Sequence, residues 1–169
     1  MTLTAMVQWA EQLEQTALGT ALAESLYAFP LIEGIHLIGL SVAIGLLFVT
    51  DLRLAGWVLK GIPAAVVLRQ LRPWVLGGFA VILISGGLLF MAEASALVKS
   101  PAFALKLIFI AIAGVNAGVF EFVIARRPGA LNNIDALPAS VRFAGLASLS
   151  LWSLVIICGR LIPYLPQWT

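Results

Sequence analysis

Four long apolar segments constrain this chain more than any other feature of its sequence. They cover approximately residues 30–50, 73–92, 102–125 and 141–162. Each is long enough for a helix that crosses a bilayer, which takes about 20 residues at a rise of 1.5 Å per residue. Their apolar runs are continuous, whereas a transmembrane β-strand alternates apolar and polar residues. The segments therefore predict an all-α, polytopic membrane protein, a four-transmembrane-helix bundle.

The composition excludes a water-soluble domain. Of the 169 residues, 62% are hydrophobic and only 11% are charged, against roughly 25% charged residues in a soluble domain. A chain this short has too little interior to hide that apolar excess from water, so its main partner is the lipid bilayer. The ten basic residues are scattered and form no patch, which argues against nucleic-acid binding. We expect residues 1–169 to form a single membrane domain.

Residues 5–26 predict an amphipathic helix that lies at the membrane interface. Its apolar side carries Trp9, Leu13 and Leu18. Its acidic side carries Glu11, Glu14 and Glu24. No basic stretch precedes the first apolar segment, so we expect that segment to act as an uncleaved insertion signal. Pro73 is expected at the beginning of the second spanning helix, since proline is favoured in the first helical turn.

Basic residues predict the orientation. Seven of them lie on one side of the membrane, in or next to the connections that join the first segment to the second and the third to the fourth. They are Arg53, Lys60, Arg69, Arg72, Arg126, Arg127 and Arg142. The opposite side has only Lys99, Lys106 and Arg160. The positive-inside rule places the richer side in the cytoplasm. The chain is thus predicted in a bacterial inner membrane with both termini periplasmic.

Ionisable residues inside the apolar segments predict a polar pocket in the outer leaflet. Because successive helices alternate in direction, Glu33 and His36 of the first segment share a depth with Lys106 of the third and Arg160 of the fourth. Charged groups at membrane depth are costly unless they pair or face a cavity, and they mark functional sites by default. Two possible metal ligands lie at a similar depth, Met91 and Cys158.

Three ligands are compatible with this layer. Haem b would use His36 as an axial ligand above a floor of Gly39 and Ala43, with its propionates at Lys106 and Arg160. A quinone head group would exchange protons with His36 and a carboxylate. Copper or zinc would use His36 and Glu33, with Cys158 or Met91. The plain alternative is that Lys106 and Arg160 extend to the interface and His36 makes a structural hydrogen bond.

The remaining polar residues favour structural roles. An ion pair is expected at the inner end, either Asp51 with Arg53 or Glu121 with an arginine. Asn116 lies between Gly114 and Gly118, a small-residue motif that favours close helix packing with an interhelical hydrogen bond from the amide. Trp152 is expected in the packed interior, where its indole N–H needs a partner.

Several stretches carry a resemblance. They are Tyr27-Ala28-Phe29-Pro30-Leu31-Ile32-Glu33-Gly34-Ile35-His36, Asp51-Leu52-Arg53-Leu54-Ala55-Gly56, Pro101-Ala102-Phe103-Ala104-Leu105-Lys106, and Trp152 with Gly159-Arg160. With them the chain resembles a family of small four-helix bacterial inner-membrane proteins that carry a domain of unknown function. It is also loosely similar to the copper-resistance D-type and b561-type cytochrome membrane proteins. The resemblance implies that Glu33, His36, Asp51, Arg53, Lys106 and Arg160 matter, and assigns no role to them.

No motif in the sequence fixes a reaction. The leading interpretation is a redox-associated inner-membrane protein that binds haem b or quinone around His36, within a homo-oligomer or a larger membrane complex. The alternatives are a copper- or zinc-handling or transport protein and a cofactor-free structural subunit of a membrane complex.

Overall fold

The computed structural model describes residues 3–133, 137–166 and 168, which fold into helices without a β-strand in that part of the chain. Two short helices, α1 (Leu3–Glu14) and α2 (Ala17–Glu24), precede two long ones, α3 (Ala28–Ala55) and α4 (Ala64–Ala92). A short helix, α5 (Ala94–Val98), precedes α6 (Pro101–Val119). Helix α6 continues as a π-helical segment, Phe120–Ile124, and α7 (Ala139–Leu161) completes the chain.

Four of these helices are long and apolar enough to cross a membrane, which confirms the predicted fold class. They are α3, α4, α6 with its π-helical extension, and α7. Between 6% and 28% of the residues in their most apolar windows are buried inside the molecule. The remaining apolar side chains face outward, where only lipid can solvate them without cost.

The helix boundaries differ from the prediction in two places. Helix α4 begins at Ala64, and Pro73 lies inside it, so the expectation that Pro73 begins the helix is wrong. Pro63 precedes the first turn instead, at a position where no intrahelical N–H bond is lost. The N-terminal amphipathic segment forms two helices, because the Thr16 hydroxyl accepts a hydrogen bond from the Gly19 amide at 3.2 Å and starts a new helix.

The two ends of the bundle have different character. We call the end with α1, α2, α5 and residues 162–166 and 168 the terminal face, and the end with residues 56–63, 125–133 and 137–138 the basic face. At the basic face a compact apolar cluster joins α3, α4, the π-helical segment and α7; its members are Leu54, Ala64, Ile124, Ala130, Val141 and Ala144. The Arg72–Glu121 ion pair, 2.8 Å long, links α4 to the π-helical segment there. It is half-exposed and contributes little stability.

The spanning helices are arranged in the order α4, α3, α7, α6. Helix α3 packs along α4 on one side and along α7 on the other, and α7 packs along α6. The backbones of α4 and α6, both described over their whole lengths, do not approach each other closely. The two helices touch through side chains at the terminal end, where Phe90 meets Phe103. The bundle is consequently open on one side, between α4 and α6.

Helix α3 approaches α4 closely because small residues meet at their crossing. A Cβ atom on Gly78 would lie 2.8 Å from the Cβ of Ala43 and 3.1 Å from its backbone nitrogen. A Cβ atom on Gly39 would lie 2.9 Å from a methyl group of Val81. Such close approach of backbones is the usual way in which membrane helices gain packing energy.

Substitution of Gly78 tests this crossing. We expect Gly78→Ala to destabilise the protein by about 1–3 kcal/mol, because the added methyl group overlaps the α3 backbone. The free energy of unfolding can be measured by denaturant titration in detergent. Gly77→Ala is the matched control, since a Cβ atom there meets nothing within 4 Å. Equal stability of the two variants would show that the helices do not approach this closely.

Candidate functional site

An apolar cleft lies on the open side of the bundle. Its volume is about 450 Å³, within the range of small-molecule sites. All four spanning helices line it, through Leu40 and Ile44 of α3, Ile82, Leu83 and Phe90 of α4, Phe103, Leu107 and Ile110 of α6, and Trp152, Val155 and Ile156 of α7. Only two ionisable side chains line it in the described part of the chain: His36 and Lys106.

Helix α4 holds the imidazole of His36 by a hydrogen bond. His36 Nδ1 lies 2.9 Å from Ser85 Oγ, and Ser85 Oγ itself donates to the Val81 carbonyl at 2.6 Å. A serine hydroxyl has a single hydrogen, so Ser85 accepts from His36 and the Nδ1 atom carries the proton. In the neutral ring Nε2 then holds the lone pair, which leaves it able to accept a hydrogen bond or to bind a metal.

The ring lies against helix α4 because residue 86 is glycine. A Cβ atom on Gly86 would lie 3.1 Å from Cε1 of His36 and 3.6 Å from its Nδ1. The missing side chain therefore provides the space in which the imidazole reaches Ser85. Gly86 and Gly87 both line the cleft, so the same glycines shape the ligand space.

Lys106 contributes the second polar group from the opposite wall. Its ammonium has no hydrogen bond or ion pair within residues 3–133, 137–166 and 168. A Cβ atom on Gly159 of α7 would lie 3.5 Å from Lys106 Nζ, so the ammonium lies beside α7 at this position. Cys158, which is buried, precedes Gly159 in α7. The cleft thus combines one acceptor nitrogen and one cationic donor with apolar walls.

Aromatic rings close the cleft toward the terminal face. The rings of Phe90 and Phe103 stack at a centroid distance of 5.7 Å with an angle of 12° between their planes. Trp9 of α1 lies 6.3 Å from Phe90 on the same side. A hydrogen bond from the Ser95 amide to Glu14 Oε1, 2.7 Å long, attaches α1 to α5. We call Trp9, Phe90 and Phe103 the aromatic roof.

Deeper in the membrane, Trp152 forms part of the cleft wall. Its ring meets that of Phe79 at a centroid distance of 4.9 Å and an angle of 50°, a tilted geometry that favours aromatic pairs. Trp152 is thus half-buried between α4 and α7 while it remains accessible from the cleft.

The structure places the other predicted pocket residues elsewhere. Glu33 is exposed and lies outside the cleft. Arg160 is exposed and donates to the Tyr164 hydroxyl at 3.0 Å, with its guanidinium 5.2 Å from the centre of that ring. Met91 is half-buried and does not line the cleft. Of the predicted layer, the structure brings together only His36 and Lys106, with Cys158 behind Lys106.

The expected floor of the pocket is also different. Gly39 and Ala43 do not line the cleft, because they are used in the contact with Val81 and Gly78 of α4. A small residue next to a membrane helix leaves space only if no neighbouring backbone fills it. The space beside His36 comes instead from Gly86 on α4.

The polar residues toward the basic face are separated from the cleft. Asp51 and Arg53 are 3% and 1% exposed, but they do not form the expected pair: Asp51 hydrogen-bonds to Ser148, and Arg53 Nε donates to the Ile62 carbonyl at 2.8 Å. Among the described residues, Asp51 Oδ2 and Arg53 Nη2 have no partner. Residues two apart point to different sides of a helix, which explains why the two do not meet.

Asn116 makes an interhelical contact without its flanking glycines. Its amide donates to the Ala144 carbonyl of α7 at 3.1 Å. Cβ atoms on Gly114 and Gly118 would meet nothing within 4 Å. The expectation that these glycines pack closely on another helix is therefore wrong within the chain, since the face they form points away from α7.

The donor set favours no metal. Nowhere in the described ranges do three or more His, Cys, Asp or Glu side chains converge to hold an ion. Structural and catalytic zinc sites use three or four such ligands.

Comparison with known families matches residues 6–165 to a family of unknown function, DUF6644. The chain belongs to this family. No curated protein and no solved structure matches the chain. The expected membership of a family of unknown function is confirmed, and similarity to the copper-resistance D-type or b561-type proteins is not shown.

Two residues of this DUF6644 protein help to build the site but were not predicted from the sequence. Ser85 and Gly86 interrupt an otherwise apolar run, and this interruption is the sequence feature that could have indicated them. Serine inside an apolar helix is common, because its hydroxyl can bond to the carbonyl four residues before. Only the packing of α3 on α4 shows that Ser85 also holds an imidazole.

The hydrogen bond between His36 and Ser85 predicts one tautomer of the imidazole. His36 is the only histidine, so nitrogen NMR of ¹⁵N-histidine-labelled protein in lipid reports on this ring alone. We expect the proton on Nδ1 and an unprotonated Nε2. In Ser85→Ala the acceptor is lost, and we expect a mixture of tautomers. Phe90→Leu, which leaves Ser85 in place, is the control. A proton on Nε2 in the unmodified protein would contradict the assignment.

Proposed function

We propose that this protein binds a membrane quinone, in its quinone or quinol form, in the cleft between α4 and α6. The observation that carries the proposal is that two ionisable side chains, His36 and Lys106, line an otherwise apolar cavity at membrane depth. An unpaired ammonium in a membrane costs several kcal/mol. A ligand oxygen in the cleft would remove that cost.

The two polar groups match a quinone head in chemistry. A quinone oxygen accepts hydrogen bonds, as the ammonium of Lys106 requires. A quinol hydroxyl donates hydrogen bonds, as the lone pair on His36 Nε2 requires. The apolar and aromatic walls, including Trp152, suit the ring and its substituents. Positioned histidines are the side chains that most often exchange protons with such hydroxyl groups.

Haem b fits the residues less well. His36 is the only histidine in the chain, so a second axial ligand would have to be Met91, a water or His36 of a second protomer, and Met91 does not line the cleft. Arg160, expected at a propionate, is bound to Tyr164 outside the cleft. A five-coordinate haem on His36 alone remains an outcome that a visible absorption spectrum detects.

The orientation belongs to the same proposal. With the basic face in the cytoplasm of a bacterium, as the positive-inside rule requires, the cleft opens in the periplasmic half of the inner membrane. His36 lies eight residues after the beginning of α3, which corresponds to a depth of about 12 Å. The protein would then engage the quinone pool near the periplasmic surface, as a homo-oligomer or as part of a larger redox complex.

Quinone binding tests the proposed function directly. We expect the purified protein in lipid nanodiscs to bind a ubiquinone or menaquinone analogue. We expect His36→Ala to weaken binding of the quinol form and Lys106→Met to weaken binding of the quinone form, each by about 10- to 100-fold, because each loses one hydrogen bond of about 1.5–3 kcal/mol. Arg160→Gln, at a similar depth but outside the cleft, is the matched control and should bind as the unmodified protein does.

Each other outcome contradicts the proposal in a distinguishable way. A Soret band that disappears in His36→Ala would identify haem. Stoichiometric copper or zinc in the purified protein would identify a metal-handling role. Absence of quinone binding, haem and metal together would favour the cofactor-free structural subunit.

Accessibility labelling tests the proposed orientation. In a Cys158→Ala background, we expect a cysteine at Leu26, which is 84% exposed at the terminal face, to react in intact cells with a membrane-impermeant maleimide. A cysteine at Lys60, exposed at the basic face, should react only after the cells are lysed. The reverse pattern would place both termini in the cytoplasm.

A further inference from the structure

The cleft is closed toward the membrane surface and open toward the lipid. At its terminal end the aromatic roof covers it, since Phe90 and Phe103 stack on each other and Trp9 lies beside Phe90. Along its side the backbones of the spanning helices α4 and α6 stay apart, and Phe90 and Phe103 bridge them only at the terminal end. The direction in which the cavity opens is thus determined by the order of the helices.

Two leucines mark the edges of this opening. Leu83 of α4 and Leu107 of α6 both line the cleft, and they are 73% and 49% exposed. Leu83 lies nine residues before the end of α4, and Leu107 six residues after the beginning of α6. Those positions correspond to depths of about 14 and 9 Å, which lie within the hydrocarbon of the bilayer. The opening therefore meets lipid chains.

We propose that the ligand enters and leaves sideways from the bilayer, through the opening between Leu83 and Leu107, and that it belongs to the class with a long apolar tail. The head group lies at His36 and Lys106, and the tail extends between the two leucines into the lipid. This inference rests on the proposed quinone site and adds to it the route and the substrate class, an isoprenoid or other long-chain quinone. A tailless, water-soluble quinone that arrives directly from the aqueous phase would have to pass the aromatic roof.

The lipid route suits the chemistry of the walls. An apolar tail that crosses the opening stays in a hydrocarbon environment throughout, so it loses no favourable solvation. A charged or strongly polar ligand would lose its hydration on the same route. The opening therefore selects for apolar ligands before His36 and Lys106 are reached.

The test narrows the opening and follows the rate of loading. The double variant Leu83→Trp/Leu107→Trp places two indoles at its edges and leaves His36, Lys106 and the roof unchanged. In nanodiscs we expect the association of a long-chain quinone to slow about tenfold or more, which is a barrier of about 1.4 kcal/mol. The matched control is Leu76→Trp/Leu105→Trp, because both leucines are exposed on the same two helices and neither lines the cleft.

A second arm distinguishes the surface route. Phe90→Ala/Phe103→Ala removes the roof and should speed the entry of a tailless quinone without speeding that of the long-chain form. If the unmodified protein binds long-chain quinone, but the narrowed variant loads it at the control rate, the lateral route is wrong while the quinone site stands. Equal affinity for tailless and long-chain quinones would overturn the assigned substrate class.

A measurement without quinone keeps the two failures separate. In a protein whose other four tryptophans are replaced by phenylalanine, Trp152 reports from the cleft wall. Lipids with brominated acyl chains should quench its fluorescence if the cleft is open to the bilayer. Adding Leu83→Phe/Leu107→Phe should reduce this quenching, and Leu76→Phe/Leu105→Phe should leave it unchanged. Unquenched Trp152 would show that the opening is closed to lipid, whatever the result for quinone.

Discussion

The close contact between helices α3 and α4 determines the rest of the structure. At Gly78 and Ala43 the two backbones approach so closely that a Cβ atom on Gly78 would lie 2.8 Å from the Cβ of Ala43. Two turns nearer the terminal face, the same contact brings His36 onto Ser85 in the space left by Gly86. Because α3 packs with α4 on one side and α7 on the other, no helix remains to fill the gap between α4 and α6. The imidazole is thus fixed by the same contact that leaves the cleft open.

A bundle that is open on one side is stable only in lipid. In water, the exposed edges of the cleft, Leu83 and Leu107, would favour collapse or aggregation. In a bilayer, the hydrocarbon chains solvate them about as well as other apolar side chains do. The unfavourable free energy comes instead from the polar groups, because Lys106 has no hydrogen-bond or ion-pair partner among the described residues. A bound ligand with a polar head and an apolar body would supply a hydrogen-bond partner to the ammonium and fill the apolar cleft.

The sequence predicts the spans and the depth of the polar residues well, because both depend on length and hydropathy alone. It does not predict which residues face one another around the helix axis. Glu33 and His36 differ by three positions, or about 60° of rotation, and this is enough to place His36 in the cleft and Glu33 on the exposed surface. Arg160 shares the depth of the site, but it turns to Tyr164 at the interface. Small residues are ambiguous in the same way: Gly39 serves helix packing and Gly86 makes room for the imidazole, although the sequence around each is equally apolar.

The central claim is that the head group of a quinone contacts the imidazole of His36, and one dipolar-coupling measurement tests it directly. The chain has a single histidine, so in solid-state NMR of ¹⁵N-histidine-labelled protein with quinol ¹³C-labelled at its hydroxyl-bearing carbons, any coupling to nitrogen comes from this ring. The account predicts a ¹⁵N–¹³C coupling from Nε2 that corresponds to hydrogen-bonding contact. Quinol that is bound to the protein but shows no coupling to His36 would contradict it.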